Sequence, residues 1–214
     1  MAQSTFLEFV REHVPPPPAR VLEVGCGHGE LTTALAIAGY DVLGIDPRAP
    51  QGDRFRRVLL EDVQPEEGPF DAVVAAFSLH HVRDLDLALD RIVALLRPGG
   101  VLVLDEFGCD LMDEETLDWL WNQRRALAAA GRGEAPASRE ALREEWNAEH
   151  VGLHGFETLR TEIDARFDEH AFEWTPHLHR SLGGVATEVL EQALIDAGAI
   201  RALGFRFSGS ARPS

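Results

Sequence analysis

Apolar residues are distributed along this chain in two styles. Short, nearly unbroken runs fall at Val21–Val24, Val42–Ile45, Phe55–Leu60, Phe70–Phe77 and Val101–Leu104. Between and after them come longer stretches in which apolar positions recur every three or four residues. The short runs predict strands covered on both faces, since a strand with one wet face would alternate. The longer stretches predict helices: Phe6, Phe9, Val10 and His13; Leu31, Ala34, Leu35 and Ala38; and Leu85, Ala88, Leu89, Ile92, Val93, Leu95 and Leu96. Punctuation agrees. Ser4 is placed to cap the first helix and Pro15–Pro18 to end it, Asp84 to cap the helix from Leu85, and Arg97-Pro98-Gly99-Gly100 to stop that helix. Strands alternating with helices predict an α/β fold around a parallel sheet. One link is anomalous: Pro47–Arg54 is too short and too rich in Pro and Gly for a crossover helix, so a loop or single turn is expected there.

Beyond Phe107 the style changes. Asp113 opens a long helix with Leu117, Leu120, Trp121 and Leu127, which runs out in Gly131–Pro136; Ser138 begins another, and Leu153–Asp164 reads as a third. Arg166–Trp174 then reads as a strand, Val185–Ala197 as a helix ended by Gly198, and Ile200–Phe207 as a final strand. The organisation expected is a helix and Pro-rich linker over residues 1–19, one domain over 20–214, and a helical insertion over about 111–164, with no repeat and no second core.

Composition narrows the class. The 214 residues are 45% apolar and 26% charged, enough for a substantial core without disulfides. The formal net charge is −16, and all 20 basic residues are Arg. So acidic a surface argues against nucleic acid or an anionic membrane as partner. No signal-like N-terminus and no membrane-length apolar run occurs, so a cytoplasmic location is expected. Cys26 and Cys109 read as reduced packing residues, and no metal site is expected.

The chemistry gathers at Val21-Leu22-Glu23-Val24-Gly25-Cys26-Gly27-His28-Gly29, a strand running into a glycine turn and then a helix from Glu30. Such a turn lets a ligand approach the backbone, and the free N–H groups of the helix favour an anionic group. The next strand ends in Asp46, 46 − 23 = 23 residues beyond Glu23, about the distance at which an acidic side chain meets ribose hydroxyls in nucleotide-binding βαβ units. The dinucleotide spacing G-x-G-x-x-G is not met, because Glu30 stands where its third glycine would be. The pattern E-x-G-x-G-x-G instead resembles motif I of the class I S-adenosylmethionine (SAM)-dependent methyltransferases. Ser78-Leu79-His80-His81-Val82 and Leu96-Arg97-Pro98-Gly99-Gly100 also resemble that family, and the likeness covers about residues 20–107.

The resemblance implies a three-layer Rossmann-like fold with seven mostly parallel strands in the order 3-2-1-4-5-7-6. It also implies SAM as cofactor, S-adenosylhomocysteine as product and a small-molecule methyl acceptor. By the same likeness Glu23, Gly25, Cys26 and Gly27 surround the amino-acid end of SAM, Asp46 and Pro47 meet the ribose, Asp62 and Val63 the adenine, and Phe77 lines the crevice. The Asn/Asp-Pro-Pro-Tyr/Phe signature of nucleobase and glutamine amino-methylating enzymes is absent at Phe77-Ser78-Leu79-His80. His81, and after it His80, is the candidate base at the fourth strand's end, with His150, His154, His177 and His179 in reserve. Trp119, Trp121, Trp146, His150 and His154 are candidate pocket residues in the insertion, which is expected to face the substrate. An NAD-dependent oxidoreductase and a non-catalytic SAM-binding protein are the competing readings.

Overall fold

The first helix, α1 (Phe6–His13), opens on a reciprocal cap: the Thr5 hydroxyl accepts from the Glu8 N–H, while the Glu8 carboxylate accepts from the Thr5 N–H at 2.6 Å. Thr5 is therefore the cap residue, and the expected cap at Ser4 lies outside residues 5–212, which are those described in this computed structural model. Phe9 and Val10 of α1 join one buried cluster with Val21, Val42, Ala72, Val74 and Val103. The helix thus packs on the sheet through its apolar face.

The strands are β1 (Arg20–Val24), β2 (Asp41–Ile45), β3 (Phe55–Arg56), β4 (Phe70–Ala76), β5 (Leu96–Phe107), β6 (Phe167–Thr175) and β7 (Gly204–Ala211). They form one seven-stranded sheet in the order β3-β2-β1-β4-β5-β7-β6, as the resemblance implies. Pairing is parallel in β3-β2-β1-β4-β5, with Val21 opposite both Val42 and Ala72. Successive side chains face opposite sides, so Val21, Val42, Ala72 and Val74 meet α1 and α2 (Glu30–Ile37), while Leu22, Val73 and Leu102, all fully buried, line the other side. That two-sided burial is why these strands read as continuous apolar runs.

Several predicted boundaries move. β3 has two residues instead of the run Phe55–Leu60, because the chain leaves the sheet at Arg57, whose Nε donates to the Ala49 carbonyl at 2.7 Å, and Leu60–Asp62 closes a single helical turn. β5 begins at Leu96 instead of Val101: Phe70 pairs with Leu96 and Ala72 with Val101, so Arg97–Gly100 bulges from the ladder. β7 starts at Gly204, after a loop in which Ile200, Ala202 and Leu203 are buried without being strand. The remaining helices are α3 (Leu85–Leu95), α4 (Glu114–Ala129), α5 (Arg139–Glu149), α6 (Phe156–Arg166) and α7 (Val185–Asp196). Asp84, Asp113 and Ser138 cap α3, α4 and α5 as expected.

The described chain divides into two units. The first comprises the residues up to Glu106, Thr158–Glu173 and those from Arg206 onward; the second comprises Phe107–Glu157 and Trp174–Phe205. In the first, Arg166 ties α6 to α3 by ion pairs with Asp86 and Asp90. In the second, Asp110 accepts from the Phe156 N–H at 2.7 Å and the Trp146 indole donates to the Cys109 carbonyl at 3.0 Å. Among the described residues no helix is long and apolar enough to cross a membrane.

Candidate functional site

In the first unit, β1 delivers its chain to a loop whose three glycines do three different things. All have left-handed backbones, with φ of 75° at Gly25, 52° at Gly27 and 85° at Gly29. A Cβ on Gly25 would lie 2.4 Å from that of Ser78, and one on Gly29 would lie 2.5 Å from the Phe55 ring. Those two glycines are demanded by packing within the protein. Gly27 is different: a Cβ there would meet no protein atom within 4 Å. Its bareness leaves an open approach to the backbone, the cradle a ligand needs.

Asp46, at the end of β2, stands beside that opening. Its Oδ2 accepts from the Gly27 N–H at 3.3 Å and its Oδ1 from the Arg48 N–H at 2.7 Å. The loop is pinned below it by the Ile45 carbonyl, which accepts from both Gly25 and Cys26 at 2.9 and 3.0 Å. No side chain caps α2, whose N-cap is Gly29, so its first-turn N–H groups and dipole remain to meet a ligand.

Glu23 lies beneath the loop, 3% exposed, and accepts a short bond from the Thr32 hydroxyl of α2. Burial lifts its carboxyl to about 7, against the lowering effect of Thr32. Burial likewise pushes the Cys26 thiol up to about 12, leaving it protonated and inert. Gly44, paired with Glu23 across the ladder, has no room for a side chain because Thr32 and Cys26 fill it. Pro47 is exposed in the turn after Asp46. Asp62 is exposed on its helical turn and bonds there with Leu59 and Gln64, with Val63 fully buried behind it.

β4 ends at Phe77, half-buried, with φ of 49°. A bulky residue in that region costs about 1–3 kcal/mol, so its surroundings must enforce it. They do: Phe77 N–H donates to the Asp105 carbonyl at 2.8 Å and the Ser78 hydroxyl to the Val24 carbonyl at 2.9 Å. Glu106, fully buried, holds the next turn. Its Oε1 accepts from the Ser78 and Leu79 N–H groups at 2.9 and 2.7 Å, and its Oε2 meets His80 Nδ1 at 2.5 Å. A carboxylate only accepts, so the Nδ1 that faces Glu106 carries a proton. His80 is 3% exposed, whereas His81 is exposed. Partial desolvation of its ring and the neighbouring His80 lower the His81 pKa, against the pull of Glu106, which favours the uncharged imidazole. Sequence reasoning missed Glu106; its one signal is a second carboxylate, after Asp105, at the end of an apolar strand.

In the second unit, Trp146 and His150 of the insertion share a cavity with His177. Trp119, Trp121, His154 and His179 are not among its lining residues. His179 instead lies by Glu191, which accepts from the His177, Leu178 and His179 N–H groups at 2.7–2.9 Å.

The sequence matches the family described as "Methyltransferase domain" over residues 3–154, more than half of the chain. A ubiquinone biosynthesis O-methyltransferase of Xylella fastidiosa is 37% identical over 111 aligned positions, covering 45% of this chain and 45% of that enzyme. Matches to such curated relatives span 38–47% of their length, so the chain covers less than half of each. Among solved structures, an S-adenosylmethionine-dependent methyltransferase from Mesorhizobium loti aligns with a TM-score of 0.59 at 18% identity, covering 95% of this chain and 96% of that one. The Burkholderia thailandensis 1,6-didemethyltoxoflavin-N1-methyltransferase, solved with 1,6-didemethyltoxoflavin and S-adenosylhomocysteine, aligns at 0.57 and 17%, covering 97% and 77%. At such identity the structural likenesses concern the fold. The sequence match reaches further, from α1 through the glycine loop and β5 into the second unit, and by it this chain belongs to the Methyltransferase domain family.

Proposed function

We propose that this chain is a SAM-dependent methyltransferase acting on an oxygen, carbon or nitrogen atom of a small molecule. The observation that carries the reading is the bare face of Gly27 beside the Asp46 carboxylate: packing explains Gly25 and Gly29, whereas at Gly27 only the left-handed backbone asks for glycine and the space a Cβ would take is open. When bound, SAM supplies a methyl group on a sulfonium, already a strong electrophile, for in-line displacement. The protein's share is position, orientation and exclusion of water.

In this reading Asp46, with Pro47 beside it, takes the ribose hydroxyls. Its side chain already accepts from the N–H of the loop that must open to the ligand. Glu23 and the Gly25-Cys26-Gly27 backbone take the amino-acid end, Asp62 and Val63 the adenine, and Phe77 borders the crevice. Where the acceptor must lose a proton, His81 or His80 is the base. His81 is exposed with a lowered pKa, and His80 has its tautomer set by Glu106. Calorimetric titration of the protein with SAM, S-adenosylhomocysteine and NAD tests the reading. Heat and mutual competition for the first two, and none for NAD, is the expected result. Silence toward SAM and S-adenosylhomocysteine at millimolar concentration sinks it, and binding of NAD alone would favour an oxidoreductase.

A further inference from the structure

The cavity of the second unit has about 360 Å³ of space, within the range of small-molecule sites. Its aromatic wall is ordered by stacking. The His177 ring lies parallel to Phe107 at 4.0 Å and 6°, His150 meets the same Phe107 edge-on at 5.5 Å, and Trp146 packs on His150 at 4.1 Å. Leu120, Leu127, Leu142 and Leu178 supply the rest of the apolar surface. Flat rings against aliphatic branches select a planar ligand.

Two further features select its polarity. His150 ends α5, and its Nδ1 lies 2.6 Å from the Trp146 carbonyl one turn back. A carbonyl only accepts, so Nδ1 carries the N–H, and in the uncharged form of the ring Nε2 is the hydrogen-bond acceptor. The matching ligand group is a hydrogen-bond donor, of which an O–H is one. The charges among the lining residues cancel, Arg124, Arg132 and Arg180 against Glu134, Glu145 and Glu149, with Arg124 and Glu145 joined at 2.6 Å. On a chain of net charge −16 this is a locally neutral place, which favours neither an anion nor a cation.

We propose that this cavity binds a neutral, planar hydroxyarene, its hydroxyl donating to His150 Nε2. That such a ligand is the methyl acceptor rests on the function proposed above; that it binds does not. Calorimetry on the full chain without SAM, using 2-naphthol, 2-methoxynaphthalene and 2-naphthoate, separates the terms. The naphthol should bind about tenfold or more tightly than the ether, which lacks the donor, and than the carboxylate. His150→Phe keeps a ring and removes the acceptor, and should bring the naphthol to the level of the ether. Leu127→Trp should fill the cavity and abolish binding of the naphthol, with the fold checked by circular dichroism. Equal affinity for all three compounds, no binding of the naphthol, or a folded His150→Phe protein with unchanged selectivity would overturn the inference. The ligand comparison uses the unaltered chain, so it decides even where a variant fails to fold. SAM is titrated separately: naphthol bound while SAM is silent overturns the proposed function and leaves the cavity's chemistry standing, and the reverse overturns the cavity's chemistry alone.

Discussion

Replacing Glu106 by Ala removes a buried acceptor that three donors share, the N–H groups of Ser78 and Leu79 and the Nδ1–H of His80. His80 and Leu79 are almost fully buried, so water cannot replace the carboxylate without entering the core. Each unsatisfied buried donor costs about 1–3 kcal/mol. Loss of one partner from a buried charged cluster costs about 3–5 kcal/mol in all. At about 2–4 °C per kcal/mol for a chain of this size, the melting midpoint should fall by about 6–20 °C. Glu106→Gln keeps one oxygen for the two backbone donors but turns an amide N–H toward His80, so it should lose less stability while reversing the imidazole tautomer. Thermal melts followed by circular dichroism measure the first effect, and the ¹⁵N shifts of the His80 ring measure the second. A Glu106→Ala protein melting within about 2 °C of the parent would refute the reasoning, because three buried donors would then have found other partners.

Asp46→Ala should weaken SAM binding about 10- to 150-fold by calorimetry, the usual range for hydrogen bonds to a charged group, and unchanged affinity would remove Asp46 from the ribose site. Gly25→Ala and Gly27→Ala should part company. The first drives a Cβ to 2.4 Å from Ser78 and should lower the melting temperature sharply, while the second costs only the left-handed backbone, about 1–2 kcal/mol. Gly27→Val should lose SAM binding while the fold persists, and outright unfolding of that variant would make Gly27 structural. Burial raises the Glu23 carboxyl from 4.5 to about 7, so the folded state holds a proton that the unfolded chain releases. Stability should therefore be full below about pH 4.5 and fall by about 3 kcal/mol as pH rises to 7, and Glu23→Gln should flatten that limb in denaturant titrations across pH. Once an acceptor is known, His81→Ala or His80→Ala with SAM affinity intact should lower turnover about 10²-fold if the ring is the base, and losses below tenfold for both would leave positioning as the mechanism.

The parts of this fold that could be read in advance are those where burial and backbone geometry coincide. β1, β4 and the centre of β5 are covered on both sides, and a continuous apolar run means one thing there. At the margins the two separate. Ile200, Ala202 and Leu203 are as buried as strand residues, yet the Arg201 N–H bonds to the Thr116 hydroxyl at 2.8 Å and not to a neighbouring strand. Phe55 opens the run read as the third strand, but its ring packs against Gly29 and the ladder ends one residue later. An apolar pattern reports where side chains go, and the last residues of an edge strand can bury side chains while their backbone bonds elsewhere.

The carboxylates were harder to read for a related reason. Charge reading looks for an acidic side chain opposite a basic one, and Glu106 and Glu191 are held mainly by backbone N–H groups 12–28 residues away. Such donors are as available to any sequence as to this one, so they leave no mark in it. Both carboxylates do the same work: each gathers the N–H groups of a helical turn that comes after a strand, at Leu79–His81 and at Leu178–Ser181, and each of those turns carries histidine. Backbone N–H bonds repay part of the burial of each carboxylate and fix the turn. A turn fixed that way keeps its imidazoles in place without help from the ligand, as a site that acts mainly by positioning requires. The residues most worth altering near a candidate base are therefore not its contacts in sequence but the buried carboxylate behind it, whose removal should change the orientation of His80 before it changes anything a ligand touches.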